Sequence, residues 1–249
     1  LVDEVQWVRD YCGGTLRGLR PGAPAFVDSA LAEFDAQGVA PRQRLERVMA
    51  VRAEYRMLDD ELRQWPYREW NGERLEQHRE AAVEKLMECW HRGLEQRFVP
   101  AGRRLSLGGD DLGSGLLDLS GQHLGELPQV PAAGFAHVRS LGLSGIGVSL
   151  EGINGWLASF AQLDTLSLAR NNLAELPSAV AQLESLQQLD LSHNWLIATP
   201  SLQTRLNRLT NLSSLHLQYN PIGRLDVSQL RALRTMDLSH SALSDWPDA

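Results

Sequence analysis

The stretch Leu163-Asp164-Thr165-Leu166-Ser167-Leu168-Ala169-Arg170-Asn171-Asn172-Leu173 decides the fold. Its leucines are separated by steps of three, two and five, with Asn171 two places before the last. The same frame returns at Leu186, Leu189, Leu191, Asn194 and Leu196, and again at Leu212, Leu215, Leu217 and Asn220, where Ile222 closes it. A fourth occurrence runs Leu233, Met236, Leu238, Ser241, Leu243. Two weaker ones precede them: Leu117, Leu119, Gln122, Leu124, and Val138, Leu141, Leu143, Ile146, Val148. The Asn-type positions are 122, 146, 171, 194, 220 and 241, spaced by 24, 25, 23, 26 and 21 residues.

A frame of this composition recurring every 20–29 residues is the leucine-rich repeat. Alternation along a short strand puts two leucines spaced by two on the same side, into the core. The Asn amide is suited to bonding backbone groups where the chain turns. Gln122, Ile146 and Ser241 are expected to interrupt that ladder. Leu127-Pro128, Leu176-Pro177 and Trp246-Pro247 mark the return arms, where proline fixes φ. No unit can bury its leucine face alone, so the units stack. The expectation is an α+β repeat fold. A leucine-rich-repeat solenoid of about six units over 116–249, with a parallel concave β-ribbon, follows an N-terminal helical bundle.

Residues 1–104 have the other periodicity. From Pro41, apolar residues at Leu45, Val48, Met49, Tyr55, Leu58, Leu62 and Trp65 keep the 3–4 spacing of an amphipathic helix. A second helix, carrying Leu75, Ala82, Leu86, Cys89, Trp90, Leu94 and Phe98, is expected to start near Asn71. A third covers Pro24 to Gln37. Gly13-Gly14 through Pro24 is expected to be irregular, and 105–115 to be a Gly/Asp-rich linker. The helices would cap the N-terminal end of the solenoid. The start at Leu1 and the stop inside a repeat read as a piece of a longer protein.

The 249 residues carry a net charge of −7 with 43% hydrophobic and 22% charged residues. That is a globular composition. It lacks the basic face that nucleic acid demands, and no apolar run reaches the ~20 residues of a membrane span. Cys12 and Cys89 cannot staple a chain of this size, and neither has metal-type spacing. Cys89 falls on an apolar helix face and reads as a buried thiol, whereas Cys12, in a Gly-rich stretch, is the more exposed of the two. Asp110-Asp111 lacks the calcium-loop pattern, Gly13-Gly14 is followed by no phosphate-loop lysine, and Asp59-Asp60-Glu61 reads as a solvated helix face. No catalytic residue, metal or cofactor is assigned.

What remains is surface. Between the paired core leucines stand Asp118, Gly142, Ser167, Asp190, His216 and Asp237. Next come Ser120, Ser144, Ala169, Ser192, Gln218 and Ser239, then Gly121, Gly145, Arg170, His193, Tyr219 and His240. All are expected to line the concave face, with Trp195 beside them. Aromatic residues and Arg dominate interface hot spots. The expected protein-binding set is therefore Arg170, Asp190, His193, Trp195, His216, Gln218, Tyr219, Asp237 and His240. His193, His216 and His240 lack a fixed fourth ligand and are not read as a metal site.

Glu54-Tyr55-x-x-Leu58-x-x-x-Leu62-x-x-Trp65, the Arg/Glu-rich helix with Cys89-Trp90, His137-Val138-Arg139-x-Leu141 and Leu233-Arg234-Thr235-Met236-Asp237-Leu238 carry a resemblance. Over 41–249 the chain resembles the leucine-rich region of large proteobacterial, Pseudomonas-type effector proteins of the novel E3 ubiquitin ligase (IpaH/SspH-like) family. The resemblance implies repeats that select a host protein, secretion into the host cytoplasm, and a separate helical ligase domain with a Cys-x-Asp motif. This chain has no such motif, and its repeats exceed the roughly 20 residues of IpaH/SspH members. No catalysis is expected here; a neighbouring ligase domain would be an internal partner. One alternative is a structural or autoinhibitory segment of a bacterial toxin or surface protein. Another is a eukaryotic receptor ectodomain, for which only Asn211-Leu212-Ser213 fits a glycosylation sequon. The basic residues are 23 Arg and one Lys, Lys85. That ratio matches a GC-rich genome and leaves one side-chain amine for ubiquitin to attack.

Overall fold

The computed structural model describes residues 2–99 and 115–242. Most of the expected linker, with Asp110-Asp111, as well as Leu243, Trp246-Pro247 and the chain end, lies outside them. The first segment holds four helices: α1 Val2–Leu19, α2 Pro24–Ala36, α3 Pro41–Gln64 and α4 Glu76–Phe98. Pro24 and Pro41 sit in the first turn of their helices, where the missing N–H costs nothing.

Two sequence expectations fail here. Gly13-Gly14 and Gly18 lie inside α1, which is helical through Leu19. Burial of Val8, Cys12, Leu16 and Leu19 at helical spacing outweighs the cost of the three glycines, about 1 kcal/mol each. Helix α4 starts at Glu76 and not near Asn71. Asn71 takes a left-handed φ of 49° inside a turn closed by Trp70 and Glu73, so it cannot cap a helix.

The second segment is a six-stranded parallel sheet in sequential order. Its strands are β1 Leu116–Asp118, β2 Ser140–Gly142, β3 Thr165–Ser167, β4 Gln188–Asp190, β5 Ser214–His216 and β6 Thr235–Asp237. The register aligns Leu117, Leu141, Leu166, Leu189, Leu215 and Met236 across the sheet. The return arms are short helices, α5 Ala132–Phe135, α6 Leu150–Leu157 and α7 Pro200–Leu206, with a 3-10 turn at Ser178–Gln182. This is a leucine-rich-repeat solenoid.

The Asn ladder holds the turns. Asn194 Nδ2 donates to the carbonyls of Leu168 and Leu191, and its Oδ1 accepts from the N–H groups of Asn171 and Leu173. Asn171 and Asn220 repeat the pattern. Ser241 does not break it as expected: its buried hydroxyl donates to Leu217 O at 3.2 Å. Gln122 does break it, leaving Oε1 buried without a partner.

Helices and repeats share one continuous hydrophobic core from Val8 to Leu230. Helix α4 lies directly on β1 and α5. The approach needs glycine, because a Cβ on Gly134 would stand 2.5 Å from Trp90 Cδ1. Arg79, fully buried, donates to Trp65 O, Arg68 O and Leu124 O and so ties α4 to the first repeat. Lys85 Nζ adds a bond to Asp118 O at 2.8 Å.

Candidate protein-recognition surface

After each of the six described strands, the residue two places beyond the second core leucine takes a left-handed φ. In the first two units it is Gly121 and Gly145; in the next four it is Arg170, His193, Tyr219 and His240, with φ between 54° and 58°. A side chain there costs roughly 1–2 kcal/mol relative to glycine. Stacking offsets part of that. The His193 and Tyr219 rings lie 4.3 Å apart at 12°, and those of Tyr219 and His240 lie 4.5 Å apart at 15°. Rings carried on units spaced by about 4.8 Å meet face to face, and each such pair contributes roughly 0.5–1.5 kcal/mol. The stacked faces cover one another, so the ladder turns its polar edges, imidazole nitrogens and a phenol hydroxyl, toward a partner.

Beside the ladder, Asp190, His216 and Asp237 stand in register on β4, β5 and β6. Asp190 and Asp237 each accept the N–H two residues on, from Ser192 and Ser239, at 2.9 Å. Those bonds from Ser239, with His216 and His240 nearby, hold the Asp237 carboxyl below its ordinary value. The hydroxyls of Ser144, just past β2, and of Ser167 on β3 and the Asp190 carboxylate on β4 form a chain.

Past the turn, Trp195 is 64% exposed and Ile197 56% exposed, on either side of buried Leu196. The equivalent places in the flanking units hold Asn172 and Ala174, or Pro221 and Gly223, so both apolar side chains rise above shorter neighbours. Trp195 is thus on the rim and takes no part in the ring stack. Sequence reading missed Ile197. The signal was present: alternation continues one step beyond Leu196.

The middle row faces outward only in part. Ala169 and Ser192 are buried, and Gln218 has its Oε1 buried without a partner. The Tyr219 ring separates His193 from His240, so the three imidazoles do not converge. No group of three or more His, Cys, Asp or Glu among the described residues is arranged to hold a metal.

Both thiols are buried. Cys12, expected to be the more exposed, is fully buried in α1, and burial pushes its thiol up. Cys89 lies 3.7 Å from His137 Nε2, a pairing invisible in sequence. Burial pushes the thiol up to about 12, and burial together with Arg97 and Arg92 pushes the imidazole down to about 4. The pair is neutral on both sides, the opposite of an activated thiolate–imidazolium. Asp59 pairs with Arg63, while Glu61 receives Arg68 and the Gln129 N–H, so these carboxylates have structural roles.

No family model matches the chain. Part of it is 37% identical to fibromodulin of Sus scrofa over 83 residues, 32% of this chain and 54% of that protein. The chain spans about half the length, or less, of the curated relatives it matches. Among solved structures it is similar to a leucine-rich-repeat protein of Leptospira interrogans, with 29% identity, 53% of this chain, 33% of that one and a TM-score of 0.45. It is also similar to the leucine-rich-repeat domain of the type III effector XopL, with 21% identity, 76% of this chain, 74% of that one and a TM-score of 0.41. No helix of the described residues is long and apolar enough to cross a membrane.

Proposed function

We propose that this chain is a protein-recognition module that grips its partner at the C-terminal half of the solenoid. The contact surface is the His193–Tyr219–His240 ladder with Arg170, the strand-face side chains Asp190, His216 and Asp237, and the rim pair Trp195 and Ile197. The observation that carries this reading is the ladder itself. Four successive units keep large side chains where the backbone favours glycine, and the result is a rigid ridge beside an exposed tryptophan. Pre-ordered rings lose little freedom on binding, which favours affinity.

The finer reading follows the resemblance of the helices and repeats. In it the module selects a host protein for a bacterial effector secreted into the host cytoplasm, and a ubiquitin-transfer domain lies elsewhere in the parent chain. The immobilised chain and its Trp195→Ala/Tyr219→Ala variant, each incubated with host-cell extract and compared by quantitative mass spectrometry, test the surface. Proteins held by the wild type and lost from the folded variant are the expected result. Equal recovery by both defeats the reading. Ubiquitin transfer by the parent protein to a recovered host protein tests the finer reading separately.

A further inference from the structure

The charges of the solenoid are sorted along its axis. Between residues 115 and 199, seven carboxylates stand against Arg139 and Arg170, whereas from 200 to 249 five arginines stand against Asp226, Asp237, Asp245 and Asp248. The arginines of the repeats thus gather toward their C-terminal end.

At the basic end an open groove of about 790 Å³ runs along the rim where the chain enters β4, β5 and β6, the opposite rim from the ring ladder. Its floor is the backbone just before those strands, already satisfied. Arg234 N and Thr235 N bond Ser213 O, and Ser213 N and Ser214 N bond Gln187 O. Side chains are therefore what the groove has to offer. Arg231 and Arg234, three apart in sequence, line it and are both exposed. No carboxylate among the described residues pairs with either, whereas Arg205, outside the groove, is occupied by Glu175 and Leu176 O. Asn211, Ser185 and Asp164 line the same groove.

We propose that this groove docks an acidic, extended segment of a protein partner, whose carboxylates are taken by the Arg231 and Arg234 guanidiniums. Planar guanidinium forks match carboxylates two bonds at a time. A peptide fits better than a nucleic acid, because the Asp164 carboxylate and the chain's net negative charge repel a continuous polyanion. The site is independent of the ring ladder. Exposed pairs of this kind steer and orient a partner more than they anchor it, so their signature is salt dependence.

The whole chain, titrated with a fluorescein-labelled Gly/Ser peptide that carries two glutamates spaced to meet Arg231 and Arg234, and followed by anisotropy at low and high salt, tests this. The expected result is binding that weakens at least about fivefold from low to high salt. It falls about tenfold or more in Arg231→Glu/Arg234→Glu, falls less in Arg231→Lys/Arg234→Lys, and is unchanged in Trp195→Ala/Tyr219→Ala. Four results each overturn it: no binding, equal binding by Arg231→Glu/Arg234→Glu, equal binding of an oligo-lysine peptide, or equal binding of single-stranded DNA. Because the ladder variant serves as control, failure here leaves the ring-ladder reading standing, and failure of that reading leaves this one.

Discussion

Tyr219 balances two opposing terms. Its left-handed backbone costs roughly 1–2 kcal/mol against glycine, and its two ring contacts return about 1–3 kcal/mol together. Tyr219→Gly is therefore expected to change stability by less than about 1 kcal/mol while removing the centre of the ridge. Partner affinity should fall at least tenfold with an almost unchanged melting temperature. A large loss of stability in this variant would make the ring a structural brace instead. Asn194 behaves in the opposite way. Its amide bonds five backbone groups that face no water. Asn194→Ala strands them, at about 3 kcal/mol in total. Calorimetry should show a melting temperature lower by roughly 5–10 °C, and a fall under 2 °C or so would mean that the ladder is dispensable.

Arg79 shows what the joint between helices and repeats rests on. Its guanidinium satisfies three carbonyls from two separate stretches of chain and lies 5.5 Å over the Trp65 ring, with Nη2 left unpartnered. Burial pulls its pKa down, yet it stays far above neutrality. Arg79→Leu leaves those carbonyls without donors, so a loss of about 3 kcal/mol is expected. Hydrogen exchange should rise first around Leu124 and the Trp65–Tyr67 turn. Exchange that rises uniformly, or not at all, would count against a local joint. None of this was legible beforehand. The solenoid could be read because Leu166, Leu189 and Leu215 repeat a local pattern whose meaning depends only on strand alternation. The third and fourth helices followed from spacing in the same way. Arg79 bonds partners up to 45 residues away, and nothing near it in sequence announces them. Likewise the row Arg170, His193, Tyr219, His240 was found from sequence, but its left-handed backbone was not. The clue was Gly121 and Gly145 at the same place in the first two units.

Across the whole molecule, acid acts first on that joint. His91 bonds Leu19 O from α4, and His137 packs between Cys89 and Gly93 on the same helix. Burial lowers both pKa values, that of His137 to about 4. In the unfolded chain each takes up a proton near the ordinary histidine value of about 6.5. Between about 6.5 and 4 the unfolded state binds more protons than the native one, so stability falls as pH falls through that window. The carboxylates of Asp35, Glu61 and Asp237 are held below their ordinary values by their hydrogen-bond donors. Their contribution is present above about pH 4 and is lost only below it. Acid destabilisation should therefore come in two stages, histidines first. Melting temperatures measured from pH 7.5 to 3 should begin to drop below about 6.5. In His137→Gln the drop between about 6.5 and 4 should shrink while the drop below pH 4 remains. A profile flat down to pH 4, or one identical in the variant, would show that the buried histidines do not set the acid limit.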